Sequence, residues 1–203
     1  MRSSGLQRKP PRRTRSRAQR SGIAPYPNIA KVTTHQRVNE LWLADFTEIY
    51  IRSRKLFVSV VLDAFSRRCI AWFASWKHNV ELTLGALQKA LAARRPPAGF
   101  IHHSDQGSEY MAYEYVELVA AHSGIISASR KGTPTDNPVM ERFMNTLKHE
   151  ELLDHDFANL EEFGSVMTAF VVLYNEERLH SSLDYRTPAE FERNYYAALK
   201  SKP

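Results

Sequence analysis

The sequence predicts an α/β fold: a mixed five-stranded sheet flanked by helices, in the order βββ-α-β-α-β-α-α. Two observations carry this prediction. Apolar runs of strand length, set off by short polar turns, come first along the chain, and segments with helical period follow. At 203 residues, 43% hydrophobic and 25% charged, the chain has material for one full-sized core and not for two.

Leu41 to Tyr50 (LWLADFTEIY), Lys55 to Leu62 (KLFVSVVL) and Cys69 to Ala74 (CIAWFA) read as three strands of an antiparallel meander, with turns at Arg52–Arg54 and Ser66–Arg68. Val80, Leu84, Leu87 and Leu91 mark one face of a helix that Pro96 and Pro97 stop. Phe100 to His103 is a short buried strand ending in the turn Ser104–Asp105–Gln106–Gly107. Met111, Tyr115, Leu118, Val119 and His122 continue helically to Gly124, the expected C-cap, and Ile125 to Ser129 forms the fifth strand. Past a polar loop, Asn137 caps a helix with Pro138 in its first turn, where the missing N–H is not needed. A last helix begins near Asn159, with Glu162 placed for a capping box and Phe163, Met167, Phe170 and Val171 on its buried side.

Charge divides the chain. Residues 1–39 hold ten Lys/Arg and no acid, leaving 18 Lys/Arg against 22 Asp/Glu in the rest of a chain whose net charge is +6. The expected organisation is a basic, disordered N-terminal arm over 1–39, a core over 40–176 and a C-terminal extension over 177–203 packing on that core. Arginine, proline and serine in the arm favour a polyanionic partner, nucleic acid in the simplest case; a solvated tail or a transit segment is the alternative. No stretch approaches the roughly 20 apolar residues of a membrane span, so a soluble, intracellular protein with no membrane partner is expected. The single cysteine, Cys69, excludes a disulfide framework and a cysteine-based zinc cluster, and reads as a buried strand position.

Three acids stand where a strand, a strand end and a helix start can bring them together. Asp45 interrupts an apolar run, where a charge is costly unless paired or bound to metal. Asp105 follows a strand directly, a favoured place for sites. Glu141 lies in the first turn of the helix opened by Pro138. Asp63 and Asp136, also near element ends, read as structural.

The segments HSDQGSEY and TDNPVMERFMNTLKHE, with 35 residues between Asp105 and Glu141, give these acids a context. With WLADFTEI, VLDAFSRRCIAW, SRKG and YNEERLHSSLDYRTPAEF in one order from about Trp42 to Phe191, the chain resembles bacterial insertion-sequence DDE transposases with a retrovirus-integrase-type core. The resemblance implies an RNase H-like fold, a triad of Asp45, Asp105 and Glu141 serving as catalytic residues and metal ligands, two Mg²⁺ or Mn²⁺ ions, and DNA cleavage that frees a 3′ hydroxyl for attack on target DNA. It also implies DNA partners at element ends and target, a homo-oligomer, and a cytoplasmic, nucleoid-associated location in bacteria. Three carboxylates suit Mg²⁺, a hard cation preferring oxygen, and without metal they repel one another.

Positions 141, 145 and 148 fall on one helix face, so Asn145 and Lys148 share the direction of Glu141. In the resembled family a basic residue at the place of Lys148 contacts the element end. Arg130 and Lys131 are expected on phosphate, and Tyr174, Asn175, Arg178 and His180 either steady the catalytic helix or reach DNA, with Arg178 the DNA candidate. His103 is expected to bond locally.

Two departures stand out. Only 44 residues precede Asp45, whereas the resembled family carries a helix-turn-helix module there, so a separate helix-turn-helix partner enters the expectations. Pro138 replaces a small residue. Two other functions stay open: a catalytically silent DNA-binding or oligomerisation remnant, and an RNase H-like structure-directed nuclease.

Overall fold

The computed structural model describes residues 26–32, 34–129, 137–153 and 155–201. A single helical turn, α1 (Ile29–Val32), precedes three strands, β1 (Leu41–Ile51), β2 (Arg54–Asp63) and β3 (Cys69–Ser75), which pair antiparallel. Then β4 (Ile101–Ser104) pairs parallel with β1, and β5 (Ile125–Ala128) parallel with β4. Parallel pairing needs a crossover. Helices α2 (Val80–Arg94) and α3 (Tyr113–Ala121) supply the two crossovers, and the strand order is β3-β2-β1-β4-β5. Helices α4 (Pro138–Leu147), α5 (Leu160–Glu176) and α6 (Pro188–Lys200) complete the chain.

Alternation along β1 sorts the layers. Leu41, Leu43, Ile49 and Ile51 share a core with Met140, Phe143, Met144 and Leu147 of α4 and Phe163, Met167, Phe170 and Tyr174 of α5. Trp42 and Ala44 point the other way, into a core with Ala86, Leu87 and Leu91 of α2 and Tyr115 and Val119 of α3. Asp45 stands in the first series, so its strand position faces the layer that contains α4.

The expected mixed sheet is present, and local departures have physical reasons. Gly124 is not the left-handed cap; Ser123 is, at φ 56°. Gly124 is needed for space, because a β-carbon there would lie 2.6 Å from the Phe100 ring. Helix α4 runs on into a π-helical turn, Lys148–Leu152, a widening that often marks functional positions. Within the N-terminal segment, residues 26–32 belong to the fold: the Ile29 N–H donates to Ser127 Oγ at 2.9 Å. Residues 1–25, which hold most of the basic arm, lie outside the described residues, as does Asp136. No described helix is long and apolar enough to cross a membrane.

Buried polar groups fasten α6 to the sheet. Glu192, only 5% exposed, takes bonds from Arg94 Nη2 at 2.9 and 3.0 Å and from Ser66 Oγ at 2.7 Å. Asp63 has the structural role expected of it, accepting from the N–H groups of Asn39, Phe65 and Ser66 at 2.6, 2.9 and 2.8 Å. Truncating Glu192 to alanine strands Arg94 in a protein interior, so Glu192→Ala should cost about 3 kcal/mol in urea unfolding. A loss under about 0.5 kcal/mol, the usual size for a surface change, would contradict the anchoring role.

Candidate catalytic site

β1 and β4 run parallel with Leu43 opposite His103. Two residues on, Asp45 comes level with Asp105, just as the chain leaves β4. Each carboxylate is oriented locally. Asp45 Oδ1 accepts the N–H of Phe46 at 2.8 Å, and Asp105 Oδ1 accepts the N–H of Gly107 at 2.8 Å. A β-carbon at 107 would lie 2.9 Å from that same oxygen, so glycine lets the carboxylate keep this position.

Burial pushes the Asp45 carboxyl up to about 6; the Phe46 N–H opposes this, the Asp105 charge adds to it and Lys148 offsets part of it. Asp105 is raised as well, mainly by burial, with the Gly107 N–H opposing and the Glu109 charge reinforcing. Asp45 is the less exposed member of the pair, and burial is the main cause of the rise at both. Two acids raised by desolvation and by neighbouring carboxylates are relieved by a cation, and their all-oxygen donor set suits a hard divalent ion. On these grounds the pair fits magnesium or manganese.

Helix α4 forms as expected: Asn137 accepts the Met140 N–H, and Pro138 opens the first turn. Glu141 and Asn145 are exposed on its surface, and Lys148, where the π turn begins, is half-buried within electrostatic reach of Asp45. Among the described residues no three His, Cys, Asp or Glu side chains are close enough to hold a metal ion. Asp45 and Asp105 are thus brought together and Glu141 is not gathered with them.

The remaining expected residues divide. Arg130 and Lys131 lie outside the described residues. Arg178 is engaged by Glu150 through two bonds of 2.5 and 2.7 Å, linking the segment after α5 to the π turn. Asn175 clamps the backbone of Cys69, donating to its carbonyl and accepting its N–H, both at 2.9 Å. The Tyr174 ring meets Phe143 of α4 at 4.8 Å. His103 Nδ1 bonds Ser127 Oγ at 2.9 Å, the local role expected of it. Cys69 is a buried free thiol pushed up to about 12 by burial.

Sequence reasoning missed Glu109 and Tyr110. Glu109, 3.4 Å from His78, is a further acid within reach of Asp105. Tyr110 is fully buried, and its phenol feels both Asp45 and Asp105, so it lies behind the pair. The signal was their place in the motif after Asp105, five residues at most from a site acid. A recess of about 510 Å³ lies elsewhere, lined by Arg68, Glu176, Glu192 and Tyr196 among others, and none of the three acids borders it. Asp105 and Glu141 are exposed, whereas Asp45 is half-buried.

Fold and acid pair define an α/β domain with two neighbouring carboxylates, Asp45 inside β1 and Asp105 just past the carboxyl end of the parallel strand β4. Residues 35–134 and 125–188 each match a family model described as integrase core domain. The chain belongs to the integrase core domain family. It is 39% identical over 160 residues to the "uncharacterized 31 kDa protein" of insertion element IS600 from Shigella sonnei, covering 78% of this chain and 58% of that protein. It is 35% identical over 156 residues to the transposase for insertion sequence element IS904 from Lactococcus lactis, covering 76% and 62%. The chain therefore spans about three fifths of the length of these relatives. The HTLV-2 integrase catalytic core domain, solved in complex with magnesium, superposes with a TM-score of 0.60 at 19% identity, covering 75% of this chain and 95% of that one. That likeness bears on fold, and the RNase H-like architecture expected from the sequence is the one present.

Proposed function

We propose that this chain is the catalytic core of a DDE transposase, cleaving DNA strands and joining them with divalent metal held by Asp45, Asp105 and Glu141. The observation that carries this reading is the placement of Asp45 on β1 and Asp105 just past the end of its parallel neighbour β4, close enough that the Asp105 charge adds to the burial that raises Asp45 to about 6. Family membership supports it.

Asp45, Asp105 and Glu141 would be the three residues that hold the metal, with oxygen donors suited to a hard divalent cation. Two Mg²⁺ or Mn²⁺ ions, when bound, would activate the attacking oxygen and stabilise the leaving one. Lys148 holds a DNA phosphate beside Asp45, and Asn145 lies on the same helix face for the strand that follows. Tyr110 keeps water from the inner side of the pair. The basic N-terminal segment, Arg130 and Lys131 add sequence-independent phosphate contacts. Arg178 serves the DNA indirectly, by holding the π turn through Glu150. Residues 40–176 act as the core, with 177–203 packed on it. Mobile-element ends and target DNA are the substrates, a homo-oligomer brings two ends together, a helix-turn-helix partner supplies end recognition, and the location is the bacterial cytoplasm.

The test is nicking of supercoiled plasmid and joining of a labelled oligonucleotide duplex in Mg²⁺ or Mn²⁺. Metal-dependent joined products are expected. Cleavage with no joining in either metal would favour a structure-directed nuclease, and inertness in both would favour a silent remnant.

A further inference from the structure

Arg67, Arg142 and His180, from three distant segments, lie within electrostatic reach of one another around Tyr174, whose ring packs on both His180 and Phe143 of α4. Arg67, on the β2–β3 turn at φ 65°, donates through Nη1 to the Ala64 carbonyl and through Nε to Ser182 Oγ at 3.4 Å. Arg142 follows Glu141 directly and is exposed. His180 stacks edge-on against Tyr174 at 5.0 Å, and among the described residues its Nε2 is buried with no hydrogen-bond partner. Arg178 completes the group but is neutralised by Glu150. Among the described residues no carboxylate lies within ion-pair distance of Arg67 or Arg142.

These groups feel one another. His180 is lowered by burial first and then by Arg178, Arg67 and Arg142. Arg67 is lowered by burial, with Tyr174 opposing, Arg142 adding to the effect and the Asp63 charge offsetting part of it. Gathering like charges while partly drying them costs stability, and such local conflicts concentrate where a ligand of opposite charge resolves them. Guanidinium groups suit phosphate because their fork matches two of its oxygens.

We propose that Arg67, Arg142 and His180 form a seat for one backbone phosphate of DNA, separate from the contact at Lys148. The inference rests on the proposed action on DNA and adds a second phosphate position. Arg142 and Lys148 are about 9 Å apart along the helix axis and about 120° apart around it, so they meet different phosphates. The seat thus holds the strand on the side of Glu141, and Lys148 holds it on the side of Asp45.

The test is fluorescence anisotropy of a labelled duplex with the full chain across a salt series. Arg142→Ala, which breaks no bond within the described residues, should weaken binding about tenfold and reduce the salt slope by about one. Arg142→Lys should keep the slope, and Lys200→Ala, which removes an equal charge elsewhere, should leave both values unchanged. Arg67→Ala should act like Arg142→Ala, with urea unfolding used to score any loss of fold. An unchanged slope in Arg142→Ala, while wild type binds DNA, overturns the seat alone. Failure of the wild-type chain to bind duplex at low salt overturns both the seat and the function on which it rests. Weaker binding of inorganic phosphate by Arg142→Ala with unaltered duplex binding would mark a free-anion site and also overturn it.

Discussion

Asp105→Asn and Glu141→Gln should each reduce metal-dependent DNA joining by about a thousandfold or more, equivalent to roughly 4 kcal/mol of barrier. Both substitutions preserve size and remove the anionic oxygen that a hard cation requires. Asp105 is exposed at the end of β4 and Glu141 is exposed on α4, so neither change empties a core. The urea midpoint of each variant should stay close to that of the wild type. Joining at wild-type rates in either variant would remove that residue from the ligand set. Loss of joining together with loss of the unfolding transition would show a structural role.

Asp45→Asn should abolish joining as well, yet make the metal-free protein more stable at pH 7 to 8. The Asp45 carboxyl sits at about 6 against an ordinary 3.8. Its folded-state value is raised, so the native protein binds the proton more tightly than the unfolded chain does. Stability contributed by that proton is fully present below the ordinary value and is lost as pH rises through about 6. Two pH units set a ceiling of roughly 3 kcal/mol, and partial solvent access lowers the expected gain to about 1–2 kcal/mol. Thermal unfolding in chelator should therefore show Asp45→Asn melting several degrees above wild type at pH 7.5, with the gap closing near pH 4. An Asn variant less stable than wild type at pH 7.5 would mean that the carboxylate is already compensated inside the protein. Metal binding should weaken as pH falls through about 6, because cation and proton compete for the same oxygens.

Much of the fold was legible because the strands obey a strict alternation. Leu41 and Leu43 against Trp42 and Ala44 assign two layers before any coordinate is known, and the charge at 45 is conspicuous because it breaks an apolar series. The caps at Asn137 and Asn159 were legible for the same local reason, since side-chain oxygens of both accept helix N–H groups. Helix α6 went unread although Thr187 and Pro188 form its start, because its buried side rests on the Glu192–Arg94 pair more than on an apolar stripe. Gly124 was placed correctly and explained wrongly: the constraint is the Phe100 ring, a neighbour remote in sequence. Motif order named the three acids without fixing their separations, which depend on how α4 lies against β1. Convergence of Arg67, Arg142 and His180 was invisible for a similar reason, as no local pattern links a turn, a helix start and a loop after α5.

The most direct measurement is calorimetric titration of Mn²⁺ into the wild-type chain and into Asp45→Asn, Asp105→Asn and Glu141→Gln at pH 7.5. Saturable binding in the wild type, lost in both aspartate variants and weakened at least tenfold in Glu141→Gln, is the result expected if the three acids share the metal. Binding of wild-type strength in all three variants would place the metal elsewhere and contradict the proposed site.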